Sequence, residues 1–344
     1  MKSTFDIMSL VRENVKALSP YRSARDEFEG EASISLDANE NPFDHKNLNR
    51  YPDPYQRKLK QKISKLKGVK EPSIFLGNGS DEAIDLLIRA FCEPRTDSIL
   101  IFTPTYGMYQ IAADINAVET IEVSLKDDFQ IDVEKALEVN AKLTFICSPN
   151  NPTGNDMNTE AVETILRISE GLVIVDEAYI DFSKRESWTK RLEEFPNLVV
   201  LQTFSKAYGL AAIRLGMAFA NEVIIEILNK IKPPYNVNGL TQNFAMKTLE
   251  NREAVLKEIE MILREREEMK AALQKLSAVK KIHPSEANFL LIEIDRATEL
   301  YRHLAAKGIV VRDRSKQVRD ALRITIGTPS ENRTLIQNIK SFYE

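Results

Sequence analysis

The chain has 344 residues, of which 43% are hydrophobic and 28% are charged, and its formal net charge is -4. A chain of this length exceeds what one hydrophobic core normally serves, so we expect two substructures. The slightly acidic balance argues against a broad nucleic-acid or membrane surface, because such surfaces need basic side chains that neutralise phosphates. We therefore expect no nucleic-acid or membrane partner, and an anionic ligand must meet a local cluster of arginines.

Cysteine and histidine usage argues against disulfide and metal chemistry. Cys92 and Cys147 lie in apolar segments without Cys-x-x-Cys spacing, which indicates neither a disulfide framework nor a thiolate metal site. The three histidines are scattered along the chain, so we expect no metal. The first residues lack the apolar core of a signal peptide, and no apolar run approaches the length of a membrane span. These features predict a cytoplasmic protein.

The first 30 residues are predicted to form an arm rather than a domain. Apolar residues from Ile7 to Leu18 recur at near-helical spacing, and Pro20 ends the pattern. We expect a short amphipathic helix here, and we expect residues 1–30 to pack with the small domain.

Residues 31–236 are predicted to form a large α/β domain. Short apolar runs alternate with helical patterns, at residues 73–76, 98–102, 143–146, 172–175 and 198–201. Continuous rather than alternating apolar runs are typical of a mostly parallel sheet that is covered by helices on both faces. The expected fold class is therefore α/β.

Residues 237–344 are predicted to form a smaller α/β domain. A charged helix from about residue 251 to 276 carries one apolar stripe. It is followed by predicted strands at 288–294, 308–311 and 322–326 and by predicted helices at 297–307 and 331–342.

Polar residues follow each apolar run of the large domain, where open α/β sheets bind their ligands. Ser80 and Asp81 follow glycines at the start of a helix, whose free N–H groups can hold a phosphate, although any capped turn looks similar. Tyr106 follows the second run, either to stack on a flat ligand or to fill the core. Asn151 lies in a turn after the third run, where its amide is either a ligand contact or a plain turn residue.

The last two strand ends carry the most informative residues. Asp176 ends the fourth run, where desolvation disfavours its charge unless a cation pairs with it; otherwise it caps the next helix. Lys206 follows the fifth run, and a buried amine at a strand's end can lose its proton and condense with an aldehyde. Arg214 either reaches a phosphate held at Ser80 or forms an ordinary ion pair. With the phenol of Tyr179, these groups supply what a pyridoxal phosphate pocket needs.

Several motifs occur along the chain in a fixed order. They are Pro20-Tyr21-x-Ser23-x-Arg25, Leu36-Asp37-Ala38-Asn39-Glu40-Asn41-Pro42, Tyr51-Pro52-Asp53-Pro54, Gly77-Asn78-Gly79-Ser80-Asp81-Glu82, Arg312-Asp313-Arg314 and Leu322-Arg323-Ile324-Thr325. Together they resemble the histidinol-phosphate aminotransferase family, which has the fold type I of pyridoxal-phosphate-dependent transferases. The resemblance runs over nearly the whole chain and implies a mostly parallel seven-stranded sheet, a smaller C-terminal α/β domain and a homodimer.

The resemblance implies a role for each strand-end residue. Lys206 would bind the cofactor covalently, and Asp176 would pair with the nitrogen of its pyridine ring. Asn151 and Tyr179 would hydrogen-bond the ring oxygen, and Tyr106 would stack on the ring. Lys206, Asp176 and Tyr179 are the residues that the resemblance implies to be catalytic.

The resemblance also assigns the cofactor's phosphate. It would be held by the backbone amides of Ser80 and Asp81, the hydroxyl of Ser205, the guanidinium of Arg214, and Tyr51 reaching over from the second subunit.

Substrate binding is implied for a further set of residues. Arg323 would bind a substrate α-carboxylate, Arg312 and Tyr21 would bind the substrate's own phosphate, and Asn39 would also contact the substrate. Because alternate residues of a strand point to opposite faces, we expect Arg314 to be exposed to solvent.

The implied reaction converts L-histidinol phosphate and 2-oxoglutarate to imidazole-acetol phosphate and L-glutamate, in the histidine pathway. Two alternatives share the scaffold, an aromatic amino acid aminotransferase and a threonine-phosphate decarboxylase. A catalytically silent pyridoxal-binding protein is a third alternative, which the presence of Lys206, Asp176 and Arg214 disfavours.

Overall fold

The structure, a computed structural model, describes residues 5–20, 34–44, 46 and 48–344. The predicted substrate residue Tyr21 lies outside these ranges, together with much of the segment that is predicted as an N-terminal arm.

The larger of the two sheets in the described part of the chain has seven strands. They are β1 (Ile74–Asn78), β2 (Ser98–Thr103), β3 (Glu119–Ser124), β4 (Leu143–Cys147), β5 (Leu172–Asp176), β6 (Leu198–Thr203) and β7 (Leu215–Ala220). The spatial order is β1-β7-β6-β5-β4-β2-β3, and β7 alone runs antiparallel to its neighbours in this sheet. The prediction of a mostly parallel sheet is confirmed.

Helices cover both faces of this sheet. They are α3 (Arg57–Lys67), α4 (Ser80–Phe91), α5 (Met108–Ile115), α6 (Val133–Leu137), α7 (Thr159–Ile168) and α8 (Glu222–Ile231). Successive side chains of a strand point to opposite faces, so each strand contributes to two apolar clusters. In β5, Leu172 and Ile174 belong to one cluster and Val173 and Val175 to the other, all fully buried. Burial on both faces explains the continuous apolar runs.

The described part of the N-terminal arm forms two short helices, α1 (Ile7–Leu10) and α2 (Glu13–Ala17). Ile7, Val11 and Val15 are buried in the apolar cluster to which α4 and α8 contribute on the large sheet. The backbone N–H of Arg12 also donates to the carbonyl of Ala90 at 3.0 Å. The sequence predicts packing with the small domain, but the described residues of the arm pack on the large domain, because their apolar side chains join the cluster to which α4 and α8 contribute.

A second, antiparallel sheet lies in the C-terminal part of the chain. Its strands are β8 (Val279–Ile282), β9 (Phe289–Ile294), β10 (Arg312–Asp313) and β11 (Ala321–Thr325), in the spatial order β10-β11-β9-β8. The helices of this part are α9 (Gly239–Glu250), α10 (Arg252–Leu273), α11 (Ala297–Ala306) and α12 (Pro329–Tyr343). A separate apolar cluster joins the sheet to the end of α10 and to α11 and α12.

Helix α10 contributes apolar side chains to the cores of both domains. Val255 and Ile259, near the start of this helix, belong to a large-domain cluster. Met269 and Leu273, near its end, belong to the small-domain cluster. Ala245 on α9 also packs with the large domain. One helix thus contributes to both cores.

The sequence analysis missed β3, β7 and β8. The edge strands β3 and β8 are partly exposed and carry charged residues, so they lack a continuous apolar run. Strand β7 contains Gly216 and two alanines, which have low β propensity, and tertiary packing overrides that preference. The strand predicted at 308–311 is absent, and pairing begins instead at Arg312.

Candidate active site

A cleft of about 480 Å³ lies beyond the carboxyl ends of the parallel strands. This volume is within the range of roughly 300–1,000 Å³ that small-molecule sites occupy. The cleft brings together most of the predicted site residues: Ser80, Asp81, Tyr106, Asn151, Asp176, Tyr179, Ser205, Lys206, Arg214, Arg312 and Arg323.

Lys206 lies in the turn that follows β6. Its side chain is exposed to the cleft, whereas the sequence suggested a buried amine. The cleft walls still desolvate the amine, which lowers the pKa of Lys206, and the charge of Arg323 also lowers it. The negative charge of Asp176 acts in the opposite direction. Its Nζ lies 5.6 Å from the centroid of the Tyr179 ring. A lowered pKa increases the fraction of neutral, nucleophilic amine at a given pH.

Asp176 is the last residue of β5 and is 2% exposed. Its Oδ1 accepts a hydrogen bond from the Ala178 N–H at 3.0 Å, and its Oδ2 accepts one from the Tyr109 hydroxyl at 2.6 Å. Burial raises the pKa of Asp176 to about 6, and these two hydrogen bonds act against that rise. The carboxylate is therefore oriented at both oxygens while it lines the cleft.

A cradle for an anion lies where α4 begins. Gly79 has a φ of +79°, and no side chain caps the N-terminus of this helix, so its first N–H groups face the cleft uncapped. The backbone of Gly216 lies so close that a Cβ there would come within 2.0 Å of the Ser80 nitrogen. Arg214 lies over the turn, with its Nη2 3.2 Å from Asp81 Oδ2. The cradle combines helix N–H groups with a guanidinium.

Two further groups border this cradle. Asp81 Oδ1 accepts a hydrogen bond from the Tyr106 hydroxyl at 3.0 Å, which fixes the tyrosine at the edge of the cleft. The Ser205 hydroxyl lies 3.0 Å from that of Thr203, and both residues line the cleft.

Arg323 connects the two domains across the cleft. Its Nη1 donates to Asn151 Oδ1, and its guanidinium carbon lies 5.3 Å from the centroid of the Phe289 ring. Tyr179 packs edge-on against the same ring at 5.2 Å. Burial raises the pKa of Tyr179, and Arg323 acts against that rise. The phenol therefore stays protonated and can donate a hydrogen bond at neutral pH.

Three arginines of the small domain line the cleft, and one of them, Arg314, differs from its prediction. Arg312 pairs with Arg323 across β10 and β11, so both lie on one face. Arg314 was expected to be solvent-exposed; it is half-buried and lines the cleft, whereas Arg312 is the exposed one. Strand β10 ends at Asp313, so the alternation of strand residues does not extend to Arg314. Desolvation, together with the charges of Arg323 and Arg312, lowers the pKa of Arg314 to about 10.

Tyr51 and Asn39 do not line this cleft. Both line a second cavity together with Arg50 and Leu240. Tyr51 stacks on Tyr235 with their ring centroids 4.4 Å apart.

Arg314, which lines the cleft, and Tyr109, which is buried beside Asp176, are the groups that sequence reasoning missed. The signal for Tyr109 is present in hindsight, because it follows Tyr106 by three residues at the start of a helix, which places both rings on one side. The sequence carries no comparable signal for Arg314, because the position of its side chain depends on where the two-residue strand β10 ends.

Metal and membrane sites are absent from what the structure describes. No group of three histidine, cysteine, aspartate or glutamate side chains could hold a metal ion among residues 5–20, 34–44, 46 and 48–344. In the same ranges, no helix has both the length and the apolar character needed to cross a bilayer.

Comparison with known proteins identifies the family. The model of the aminotransferase class I and II family matches residues 31–339. Histidinol-phosphate aminotransferases of Flavobacterium johnsoniae and Parabacteroides distasonis are 52% and 53% identical, each over 98% of this chain and 99% of the relative. The crystal structure of the histidinol-phosphate aminotransferase from Clostridium acetobutylicum matches with a TM-score of 0.80 and 26% identity, over 86% of this chain and 91% of that one. The chain therefore belongs to the pyridoxal-phosphate-dependent class I and II aminotransferases and, within them, to the histidinol-phosphate aminotransferase family.

Proposed function

We propose that the chain transfers an amino group between L-histidinol phosphate and 2-oxoglutarate, which gives imidazole-acetol phosphate and L-glutamate in histidine biosynthesis. The observation that carries this proposal is the presence of Arg312, Arg314 and Arg323 in the same cleft as Lys206 and Asp176. A phosphate-bearing amine suits such a site, because guanidinium groups bind its phosphate while the lysine end receives its amine.

The residues of the cleft fit pyridoxal phosphate. We assign its phosphate to the uncapped N–H groups of Ser80 and Asp81, with Ser205 and Arg214. The absence of a side chain at Gly216 supports this, because a Cβ there would obstruct the Ser80 nitrogen.

The flat part of the cofactor fits the remaining side chains. Asp176 offers a shielded carboxylate for the pyridine nitrogen, and Asn151 and Tyr179 offer hydrogen bonds for the ring oxygen. Tyr106 lies at the edge of the cleft, where its ring can stack.

When bound, pyridoxal phosphate supplies an aldehyde and a ring that withdraws electrons from the substrate. Lys206 holds the cofactor, and we assign its Nζ as the group that removes the proton from the substrate Cα. The lowered pKa of Lys206 suits a base, because more of the amine is neutral near pH 7. We assign Asp176 to the ring nitrogen, because a negative charge beside this nitrogen favours its protonated form.

The two amino donors carry different anionic groups, and one site must bind both. Histidinol phosphate carries a phosphate and no α-carboxylate, whereas glutamate carries two carboxylates. We assign Arg323 to glutamate's α-carboxylate, and Arg312, joined by Arg314, to either the substrate phosphate or glutamate's side-chain carboxylate. Tyr21 and Asn39 remain predicted substrate contacts.

We also propose a homodimer in which Tyr51 completes the phosphate cradle of the partner subunit. Tyr51 lies outside the Lys206 cleft of its own chain, in a cavity that it shares with Leu48 and Leu240. The same segment and α9 expose large apolar side chains, each at least half accessible: Leu36, Phe43, Leu48, Leu240 and Phe244. Such exposure is typical of a protein–protein interface.

The first test is a half-reaction without a keto-acid acceptor. Purified holoenzyme is mixed with L-histidinol phosphate or with phenylalanine, and the visible absorbance of the bound cofactor is followed by stopped flow. We expect rapid loss of this absorbance with the phosphate substrate and slow loss with phenylalanine.

Other results would redirect the assignment. Equal or faster reaction with phenylalanine would indicate an aromatic aminotransferase, and release of carbon dioxide from threonine phosphate would indicate a decarboxylase. We also propose a cytoplasmic location, as the sequence predicts.

A further inference from the structure

Tyr109 is buried beside Asp176, the carboxylate that we assign to the cofactor's ring nitrogen, and it is not one of the residues that line the cleft. Its side chain has no exposed surface. The ring stacks on Phe145 of β4 with centroids 4.8 Å apart, and it meets the Tyr106 ring edge-on at 5.5 Å. These contacts fix the direction of its hydroxyl.

The hydroxyl has one strong acceptor. It donates to Asp176 Oδ2 at 2.6 Å, which is within the range for a bond to a charged oxygen. Burial raises the pKa of Tyr109 well above its ordinary value, and the neighbouring Asp176 charge adds to the rise. The phenol therefore keeps its proton and acts as a hydrogen-bond donor.

We propose that Tyr109 is a positioning residue that orients the Asp176 carboxylate and keeps it ionised toward the cofactor's ring nitrogen. This inference rests on the proposed role of Asp176. A carboxylate that accepts hydrogen bonds is a weaker base, so the shared proton stays on the ring nitrogen. Without the phenol, Asp176 becomes more basic and withdraws that proton.

The test compares the holoenzyme with its Tyr109→Phe variant, loaded with pyridoxal phosphate labelled with nitrogen-15 in the ring. The nitrogen chemical shift reports whether the ring nitrogen is protonated. We expect the shift of the variant to move toward the unprotonated value. We expect kcat to fall by roughly 10- to 100-fold, the range for residues that orient a liganding group, with KM little changed.

Two comparisons separate positioning from a general structural loss. Tyr343→Phe is the matched control, because it also removes one hydrogen-bonded phenol, donated to the Asp295 carbonyl in the small domain. It should change neither the shift nor kcat. In an Asp176→Asn background, adding Tyr109→Phe should lower kcat by less than about twofold, because the residue acts through Asp176.

An unchanged nitrogen shift in Tyr109→Phe would overturn the inference. The inference would also be overturned if Tyr109→Phe lowered kcat as much in the Asp176→Asn background as in the parent enzyme. Failure of the proposed function looks different. In that case the parent enzyme binds the cofactor but does not react with L-histidinol phosphate, while the nitrogen shift still reports on Tyr109.

Discussion

Asp176 is almost completely shielded from water, so its charge depends on the few groups that it contacts. The backbone N–H of Ala178 and the hydroxyl of Tyr109 each bind one of its oxygens. A carboxylate in this position is costly unless it meets a cation, which the protonated ring nitrogen would supply in the proposed complex.

Asp176→Asn should keep the cofactor and lose most of the rate. An amide has nearly the same shape but no charge, so it cannot hold the ring nitrogen protonated. We expect kcat to fall by roughly 10²- to 10⁴-fold, the size of a proton-transfer contribution, as measured in steady-state assays. Near-normal turnover would contradict the role.

The pH dependence of cofactor-free stability offers a second check on the same residue. The folded-state pKa of Asp176 is raised to about 6 from 3.8, so folding favours the protonated form. Its contribution to the free energy of unfolding is fully present below about pH 4 and is lost as the pH rises through about 6. Asp176→Asn should remove this dependence in denaturant titrations between those values.

Arg314 should contribute to binding of the phosphate substrate. It is half-buried beside two other guanidinium groups, and an anion relieves their mutual repulsion. Arg314→Gln should raise KM for L-histidinol phosphate by roughly tenfold, since a charge-assisted contact contributes ~1.5 kcal/mol at the lower end of its range. Arg319→Gln, in the same loop but with a side chain 96% exposed, is the matched control and should leave KM unchanged.

Residue identities at the strand ends could be predicted because chemistry and topology agree there. Asp176 ends β5, Lys206 follows β6 and Arg214 precedes the antiparallel β7, so all three lie at the edge of the sheet that faces the cleft. Arg314 and Tyr109 could not be assigned in this way. Their roles depend on a strand end and on a ring packed behind the cleft, which periodicity does not reveal.

The turn between β1 and α4 shows how an element creates a binding site. Strand β7 runs antiparallel beside β1, and Gly216 on β7 is the position where it passes closest to the Ser80 nitrogen. The site depends on the close approach of two backbones, which is a common reason for glycine in a strand.

Gly216→Ala should weaken cofactor binding and lower thermal stability together. The added Cβ would lie 2.0 Å from the Ser80 nitrogen, so the turn must shift. We expect a loss of roughly 1–3 kcal/mol, the usual cost of overpacking, measured by thermal unfolding and by equilibrium binding of pyridoxal phosphate. Gly239→Ala, whose Cβ would meet nothing nearer than 3.9 Å, is the control. An equal effect in both variants would contradict the contact.

Central strands could be predicted from the sequence better than edge strands. A central strand is apolar on both faces and produces a continuous run, as in β5. An edge strand such as β3 is half-exposed, so its residues are mixed and its sequence resembles a loop.

At the scale of the whole molecule, the proposed dimer predicts complementation between two inactive variants. Lys206→Ala removes the lysine, and Tyr51→Ala removes the tyrosine assigned to the partner's cradle. If Tyr51 acts across the interface, a mixed dimer contains one site with both residues intact. Refolding the two variants together should restore up to about a quarter of the activity, since half of randomly paired dimers are mixed and each has one intact site of two.

The control is each variant refolded alone, which should stay inactive or weakly active. No recovery on mixing would place Tyr51 in the site of its own chain, because then no combination contains an intact site. The same samples should sediment as dimers, and a monomer at assay concentration would contradict the proposal.

The domain arrangement was harder to predict than either domain. The sequence pattern of α10 is one continuous helix, and nothing in its periodicity marks where Val255 stops serving one core and Met269 starts serving the other. The position of the N-terminal arm was hard to predict for a similar reason. The periodicity of an amphipathic helix shows which of its faces is buried, but it does not show which domain that face packs against.

The hydrogen bond between Arg323 and Asn151 joins residues that we assign to different ligands. A carboxylate arriving at Arg323 competes with the Asn151 oxygen for the same guanidinium, whereas an amino donor without a carboxylate leaves that pair in place. Under the proposed assignments, Asn151 would therefore meet the cofactor's ring oxygen with its own oxygen bound to Arg323 in one half of the catalytic cycle and released from it in the other.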